Sequence, residues 1–222
     1  MLINDESSLY VYVVTRDLGF APNPFNGKCT LATCKPIIRK NAELDDWIIG
    51  VAGAKMDSIK NGCIFIMKVS KKISYDQYWS DQEYENKKPK RNGSYIRMVG
   101  DNIYHKDESG NWIQEDSHHS NVDGTINFTN LQRDTGKTDM VLVSDYFLYF
   151  GAAAINLDLS KIGYSGGIGH GRYKFSECAE AFQLVQDIIS ENETKINTIV
   201  SDPYHYDLSY TRVNQSDGRF QK

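Results

Sequence analysis

The sequence has 222 residues, with 25 Lys and Arg against 29 Asp and Glu, which gives a formal net charge of −4 at pH 7. This balance excludes proteins that coat nucleic acid through overall charge, because they need a surplus of basic residues to neutralise phosphates. No apolar run approaches the roughly 20 residues that a membrane span requires, and residues 1–6 lack the basic region of a secretory signal. We therefore expect a soluble cytoplasmic protein whose four cysteines are reduced thiols.

Composition shows no seam along the chain, so we predict a single domain over residues 1–222. Its core is expected at about residues 8–192, followed by a polar C-terminal extension, 193–222, in which Val213–Lys222 should fray. A first strand is predicted over Leu9–Val14. The next segment, Thr15–Gly53, opens with recurring glycines and prolines that make the backbone turn repeatedly, which predicts a long loop folded over the sheet or over a ligand.

The middle of the chain contains short predicted strands and one short helix. Trp47–Val51 and Gly62–Val69 are continuous apolar runs, which is typical of neighbouring central strands. Ser74 is a candidate N-cap for a helix over Tyr75–Trp79, and Ser80–Gly93 is polar enough to be a loop. Further strands are predicted at Ile103–His105, Trp112–Gln114 and Met140–Gly151, the last with a bend at Ser144–Asp145.

The clearest predicted helix follows a glycine-rich segment, Gly163–Arg172, whose backbone can approach a ligand closely. Ser176 is its candidate N-cap, and one helical stripe collects Cys178, Ala181, Phe182, Val185 and Ile188. About six short strands to one good helix do not fit a doubly wound fold, which needs helices between its strands. We predict an α+β fold with a small mixed, barrel-like sheet, a long N-terminal loop and one packed C-terminal helix.

A series of short motifs spans about residues 9–172. They read Asp17–Phe25, Cys29–Pro36, Asp46–Gly50, Tyr78–Asp81, Gly100–Tyr104, His118–Ser120 and Tyr149–Gly151. Together they resemble the second family of the nucleotide modification associated domain series. The resemblance implies association with base-modification or phage-defence systems, and it assigns no catalytic residue.

The predicted order of elements also resembles the PUA-like superfamily, including its EVE and ASCH members, in which a small open barrel presents loops around a nucleobase pocket. This resemblance implies that the partner is a nucleotide, or a nucleic acid, that contains a modified base. Our first hypothesis is therefore a reader that needs no catalytic groups, since base stacking on aromatic side chains supplies affinity. Its expected binding residues are Arg16, Phe20, Asn23, Phe25, Lys35, Trp47, Asn102, Tyr104, His118, His170 and Arg172.

The alternative hypothesis is an enzyme that acts on a nucleotide or a modified base. Its candidate general acids and bases are Asp17, Asp101 and His119, with cations such as Arg16 holding phosphate. We expect one cavity to be lined by Arg16, Asp17, Asn23 and Lys35 together with Asp101 and Asn102. A carboxylate within hydrogen-bond reach of a histidine in that cavity would favour the enzyme, because a reader does not require one.

Other chemistry-bearing residues give weaker signals. Cys29 and Cys34 are interpreted as packed small side chains, because no second Cys or His pair stands at zinc-site spacing. His118 and His119 are adjacent, so in an extended segment at most one of them faces a given site. The sequence contains no recognised metal or cofactor motif, and we expect no cofactor.

A basic run stands out against the acidic average of the chain. Five basic residues and no acidic residue lie between Asn86 and Met98. The run predicts contacts to a nucleic-acid backbone, although a solvated loop has the same composition. The residues assigned to these contacts are Lys87, Lys88, Lys90 and Arg91.

Overall fold

The computed structural model describes residues 2–167, 169–213 and 220–221. Its strands are β1 (Ser8–Val14), β2 (Cys29–Leu31), β3 (Trp47–Ala52), β4 (Cys63–Lys68), β5 (Lys71–Ser74), β6 (Tyr104–Lys106), β7 (Trp112–Gln114), β8 (Met140–Ser144), β9 (Tyr146–Tyr149), β10 (His170–Lys174), β11 (Thr198–Ile199), β12 (Arg212–Val213) and β13 (Phe220–Gln221). Its α-helices are α1 (Pro36–Asn41), α2 (Tyr75–Ser80), α3 (Tyr95–Met98), α4 (Phe128–Thr135) and α5 (Ala179–Glu191). The α+β class and the mixed sheet are as predicted. None of these helices is long and apolar enough to cross a membrane.

The main sheet has six strands in the order β10-β1-β3-β4-β9-β11. Strand β1 is parallel to β3, and β9 is parallel to β11, whereas the other pairs are antiparallel. The prediction that Trp47–Val51 and Gly62–Val69 are neighbouring central strands is confirmed by the pairing of β3 with β4. Among the described residues the strands form open sheets and no closed barrel.

Two apolar layers enclose the main sheet. On one face, α5 packs against alternate residues of β1 and β3, including Leu9, Val11 and Ile49. The opposite residues of the same strands, such as Tyr10 and Ile48, pack against a second sheet with the order β2-β8-β5. Because both faces are covered, the central strands are apolar throughout, which explains the continuous runs in the sequence.

The second sheet is linked to the first where Met140–Gly151 bends. Strand β8 lies in the second sheet and β9 in the first, so the predicted bend at Ser144–Asp145 carries the chain from one sheet to the other. A third apolar cluster covers the outer face of β8 with residues of the long N-terminal loop, α2 and the β6–β7 hairpin. This outer cluster places the loop beside α4.

Local signals succeeded at some helix ends and failed at others. Ser74 and Gln77 form a reciprocal capping box at α2, as predicted. The N-cap of α5 is Cys178 instead of Ser176, so the helix starts two residues later than predicted. Ala181, Val185 and Ile188 are buried as expected. Helices α1, α3 and α4 were not predicted.

The polar C-terminal segment takes part in the fold. Strand β11 extends the main sheet, and Ser209 and Thr211 are buried. Residues 193–211 therefore pack against the core, although the sequence predicted an extension outside it. Of the segment expected to fray, residues 214–219 and 222 lie outside the described residues.

Candidate active site

A cavity of about 420 Å³ lies at the carboxyl end of β1. Its walls come from the end of β1 and the residues after it, from the turn between β2 and α1, from the turn at His118–His119, and from α4. Elements that are distant in the sequence therefore meet at one site. The cavity is lined by Tyr12, Val13, Val14, Thr15, Arg16, Leu18, Phe20, Ala21, Cys34, Lys35, Lys55, His118, His119 and Arg133.

Cys34 is presented to this cavity by a sharp strand-to-helix turn. Cys34 and Lys35 both have positive φ values, 56° and 39°, and Pro36 then starts α1 with its fixed φ. A left-handed conformation in a non-glycine residue costs about 1–3 kcal/mol and persists only where the surroundings impose it. The turn separates Cys34 from Cys29, which is fully buried in β2.

His119 connects Cys34 to a buried carboxylate. Its Nδ1 lies 2.9 Å from Oδ2 of Asp134, and its Nε2 lies 3.9 Å from Sγ of Cys34. An ionised carboxylate can only accept, so Nδ1 carries the proton and Nε2 faces the thiol as a base. The three side chains have the arrangement of a nucleophile, a base and the group that orients the base.

Asp134 is held by several donors in addition to His119. The Tyr104 hydroxyl donates to Oδ2 at 2.9 Å, and the backbone N–H of Cys34 donates to Oδ1 at 2.9 Å. Arg133 Nε donates to Oδ1 at 2.8 Å, and its Nη2 lies 3.1 Å from His119 Nδ1, so the guanidinium packs against the imidazole ring. These contacts fix the carboxylate, and through it the imidazole.

The charges of this cluster shift its pKa values in a consistent way. Burial raises the pKa of the Cys34 thiol, but Arg133 and His119 together outweigh burial and lower it below the ordinary value. Burial and Arg133 lower the pKa of His119, yet Asp134 and Cys34 outweigh them and raise it. Burial raises the pKa of Asp134, and His119 and Arg133 reverse that effect and hold it well below its usual range. The shifts favour a thiolate beside an imidazolium.

Arg39 holds the backbone at both Cys34 and Asp134 in place. It is fully buried on α1, and it donates to the backbone carbonyls of Cys34 at 2.9 Å, of Met140 at 2.6 Å and of Asp134 at 2.5 Å. One guanidinium thus ties the α1 turn, β8 and the end of α4 together.

Both adjacent histidines line the same cavity. They lie in a turn instead of an extended segment, so the expectation that only one of them can face a site was wrong. The ring of Phe20 packs 5.2 Å from that of His118 and 4.6 Å from that of His119. His118 is buried and its Nδ1 lies 2.7 Å from the carbonyl oxygen of Thr211, so the C-terminal segment supports this turn.

The residues predicted to share one cavity are divided between three places. Arg16 and Lys35 line the cavity. Asp17 is buried beside it, where Tyr149 and the backbone N–H groups of Gly19 and Tyr204 donate to its carboxylate. Asp17 therefore anchors the loop and does not reach the cavity.

The third place is a buried polar network, which we call the Asp101 network. Its members are Asn23, Thr30, Tyr78, Lys87, Asp101 and Asn102. Asp101 accepts hydrogen bonds from Thr30 at 2.7 Å and Tyr78 at 2.8 Å, and Lys87 donates to Asn23 Oδ1 at 2.7 Å. Asn102 is buried and donates to the carbonyl of Tyr78 at 2.7 Å. Asn23, Asp101 and Asn102 are thus committed to the fold, because none of them lines the cavity.

Several predicted stacking residues have no free ring face. Trp47 is fully buried between the main sheet and α5, Phe25 is 4 % exposed and stacks on Tyr206, and Tyr104 is buried beneath Asp134. A base cannot stack on these rings without unfolding their surroundings. His170 and Arg172 lie on the edge strand β10 next to Tyr10, outside the cavity lining.

The basic run is partly structural. Lys87 is 2 % exposed, and Arg91 donates to the backbone carbonyls of Met98 and Tyr210. The assignment of these two side chains to nucleic-acid contacts is therefore corrected. Lys88 pairs with Glu85 and lies over Trp79, and Lys90 is exposed, so only these two can reach a phosphate.

Sequence reasoning missed Arg133 and Asp134, and it interpreted Cys34 as a packed small side chain, whereas Cys34 is partly exposed and lines the cavity. The first two lie in a polar segment without apolar periodicity, although Asn127 was an available N-cap signal for α4. For Cys34, the Pro36 that follows shortly after β2 indicates a helix start. Among the described residues no group of three or more His, Cys, Asp or Glu is arranged to hold a metal ion.

The family of the chain agrees with its motifs. A family model described as nucleotide modification associated domain 2 matches residues 6–210. No curated protein matches the chain, and no solved structure matches it. The match covers nearly the whole sequence and includes the Cys34 site, which consists of Cys34, His119, Arg133 and Asp134. The chain therefore belongs to the nucleotide modification associated domain 2 family.

Proposed function

We propose that the chain is an enzyme that uses Cys34 as a covalent nucleophile on a nucleotide substrate. The observation that carries this proposal is the position of His119 between Cys34 Sγ at 3.9 Å and Asp134 Oδ2 at 2.9 Å, at the wall of a cavity. A reader of modified bases requires no such chain of contacts. A carboxylate within hydrogen-bond reach of a cavity histidine favours an enzyme over a reader.

Each residue of the cluster has a defined role in the proposed reaction. Nε2 of His119 takes the proton of the Cys34 thiol, and the thiolate attacks an electrophilic carbon of the substrate. Asp134 accepts a hydrogen bond from the Nδ1–H group and stabilises the imidazolium that forms. The imidazolium then returns its proton to the leaving group, which restores the neutral imidazole.

The charge of the cavity favours an anionic substrate. Four basic residues, Arg16, Lys35, Lys55 and Arg133, line it, and no acidic side chain is among its lining residues. This is a local excess of positive charge in a protein of net charge −4. Phosphate is the anionic group that nucleotides supply, and Arg and Lys bind it through charge-assisted hydrogen bonds. The family match to nucleotide modification supports the same substrate class.

Modified-base reading remains the second candidate function. The same four cations favour it, because phosphate contacts are sufficient for binding. The two functions differ in what happens after binding. A reader would bind equally well as Cys34→Ser and would form no product.

The first experiment tests the reactivity of Cys34. Wild-type protein is treated with iodoacetamide at several pH values, and the modified cysteines are identified by mass spectrometry. We expect Cys34 to react at lower pH than glutathione, since its pKa is lowered, whereas Cys29 should not react because burial raises its pKa to about 12. Cys178, which is partly exposed, is the internal control. A Cys34 that reacts no faster than Cys178 at any pH would contradict the proposal.

The second experiment tests catalysis directly. Wild-type protein and Cys34→Ser are incubated with modified and unmodified nucleotides and oligonucleotides, and products and protein adducts are analysed by mass spectrometry. We expect wild type alone to form a product or a covalent adduct at Cys34. Binding by both proteins without any product would favour the reader.

A further inference from the structure

The hydroxyl of Tyr12 is an unpaired donor at the wall of the cavity. Tyr12 lies on β1, lines the cavity and is 1 % exposed, yet its hydroxyl has no hydrogen-bond partner among the described residues. Burying a hydroxyl without a partner reduces stability. A ligand oxygen in the cavity would satisfy this donor.

Tyr12 and Cys34 line the same cavity. Burial raises the pKa of Tyr12 far above its ordinary value, and the charge of Cys34 raises it further, so the hydroxyl keeps its proton beside a thiolate. The Lys35 ammonium lies 4.6 Å from the centroid of the Tyr12 ring. A neutral donor and a cation therefore line the same cavity as the atom that attacks.

The backbone donor that a nucleophile often supplies is already used here. The N–H of Cys34 donates to Asp134 at 2.9 Å, so it is not available to stabilise charge on a substrate. When a thiolate attacks a carbonyl carbon, negative charge develops on the carbonyl oxygen and needs a preorganised donor. Among the buried side-chain atoms of the described cavity residues, the Tyr12 hydroxyl is the donor that has no hydrogen-bond partner.

We propose that the electrophile of the substrate is a carbonyl group, and that the Tyr12 hydroxyl donates to its oxygen as Cys34 attacks. The inference rests on the proposed function of Cys34. In this step the S–C bond forms and the carbonyl π electrons move to the oxygen that Tyr12 binds. Collapse breaks the bond to the leaving group, which takes the proton of the His119 imidazolium, and a thioester remains on Cys34. The reaction is thus an acyl transfer.

The test compares two reagents that differ in their need for an oxygen donor. Acylation of Cys34 by p-nitrophenyl acetate passes through an oxyanion, whereas alkylation by iodoacetamide does not. Both rates are measured in a Cys178→Ser background for wild type, Tyr12→Phe and Tyr164→Phe. Tyr164 is the matched control, because its hydroxyl is also buried without a partner but does not line the cavity.

We expect Tyr12→Phe to slow acylation about 10²-fold and to leave alkylation within about twofold of wild type. Tyr164→Phe should change neither rate. The unfolding midpoint of Tyr12→Phe should be equal to or higher than that of wild type, because the variant loses only an unpaired hydroxyl.

Three outcomes would overturn the inference. They are equal effects of Tyr12→Phe on both reagents, slower acylation accompanied by a lower unfolding midpoint, and no acylation of wild type while alkylation of Cys34 persists. The third outcome leaves the proposed nucleophile intact and excludes only the carbonyl. Failure of Cys34 to be alkylated faster than an ordinary thiol would instead remove the proposed function together with this inference.

Discussion

The Cys34 site and the Asp101 network contain similar groups in different surroundings. Both hold a fully buried carboxylate that accepts hydrogen bonds from a tyrosine and lies near a cation. Burial raises the pKa of Asp101 to about 6 and lowers that of Lys87 to about 8, so the network is as strongly perturbed as the site. Only the Cys34 site borders a cavity and includes a nucleophile and a base. Perturbed ionisation therefore indicates function only where a substrate can reach it.

The largest expected effect separates the two carboxylates. Asp134→Asn should lower turnover of the nucleotide substrate about 10³–10⁴-fold, because the amide no longer holds His119 in the tautomer that accepts the Cys34 proton. Asp101→Asn should change turnover per folded molecule less than about threefold, since its contacts lie outside the cavity. Product formation is followed by mass spectrometry, and folded protein is quantified by circular dichroism. Equal losses of turnover in the two variants would contradict the distinction between the two carboxylates.

The second prediction concerns the cation of the network. Lys87→Met should destabilise the fold by about 3–5 kcal/mol, because it removes the cation near the buried Asp101 carboxyl and deprives the oxygens of Asn23 of their donor. Lys90→Met is the matched control, since Lys90 is exposed, and should change stability by less than about 0.5 kcal/mol. Urea unfolding measures both. A mild effect of Lys87→Met would mean that the network tolerates an unpaired carboxylate.

The third prediction uses opposite pH dependences. Burial lowers the pKa of His118 to about 3 from 6.5, so the stability that neutral His118 contributes above pH 6.5 is lost as the pH falls. The pKa of Asp101 is raised to about 6 from 3.8, so its protonation adds stability as the pH falls from about 6 to 3.8. At pH 4 the loss from His118 amounts to about 3 kcal/mol and the gain from Asp101 to about 2 kcal/mol.

The two contributions can be separated by substitution. His118→Gln should flatten the loss of stability between pH 6.5 and 4, whereas Asp101→Asn should make it steeper because the compensating gain is removed. Denaturant unfolding at half-unit pH intervals measures both slopes. The same slope in both variants would show that neither group controls acid unfolding.

The smallest effect is expected at the exposed end of the basic run. Lys88→Gln with Lys90→Gln should lower stability by less than about 1 kcal/mol, since the one ion pair that is lost, to Glu85, is partly exposed. If these lysines contact nucleic-acid phosphates, each substitution should reduce the salt slope of binding by about 1. Filter binding at several salt concentrations measures the slope. An unchanged slope would exclude the predicted backbone contacts of Lys88 and Lys90.

Much of the fold was predictable because its signals are local. The continuous apolar runs over Trp47–Val51 and Gly62–Val69 predicted central strands, and burial on both faces of the sheet is the physical reason. The capping box at Ser74 and the apolar stripe of α5 also depend on neighbours within a few residues. Helices α1, α3 and α4 were not predicted, because they are short, and α1 and α4 are stabilised by tertiary contacts such as those of Arg39.

The candidate site was only partly predictable. The sequence singled out Arg16, Lys35 and His119, which line the cavity, and equally Asp17, Asn23 and Asp101, which the fold buries elsewhere. Residue type alone could not separate these two groups, because each contains polar side chains in or near turns.

The sequence by itself determined the family, the α+β class and most of the strands, because motifs and hydrophobic runs are properties of adjacent residues. Only the tertiary structure decided which cysteine, histidine and carboxylate meet. Cys34 and His119 are 85 positions apart, and His119 and Asp134 are 15 positions apart. Their geometry depends on how β2, α4 and the turn between them pack around β8, and such long-range packing leaves no periodic pattern in a single sequence.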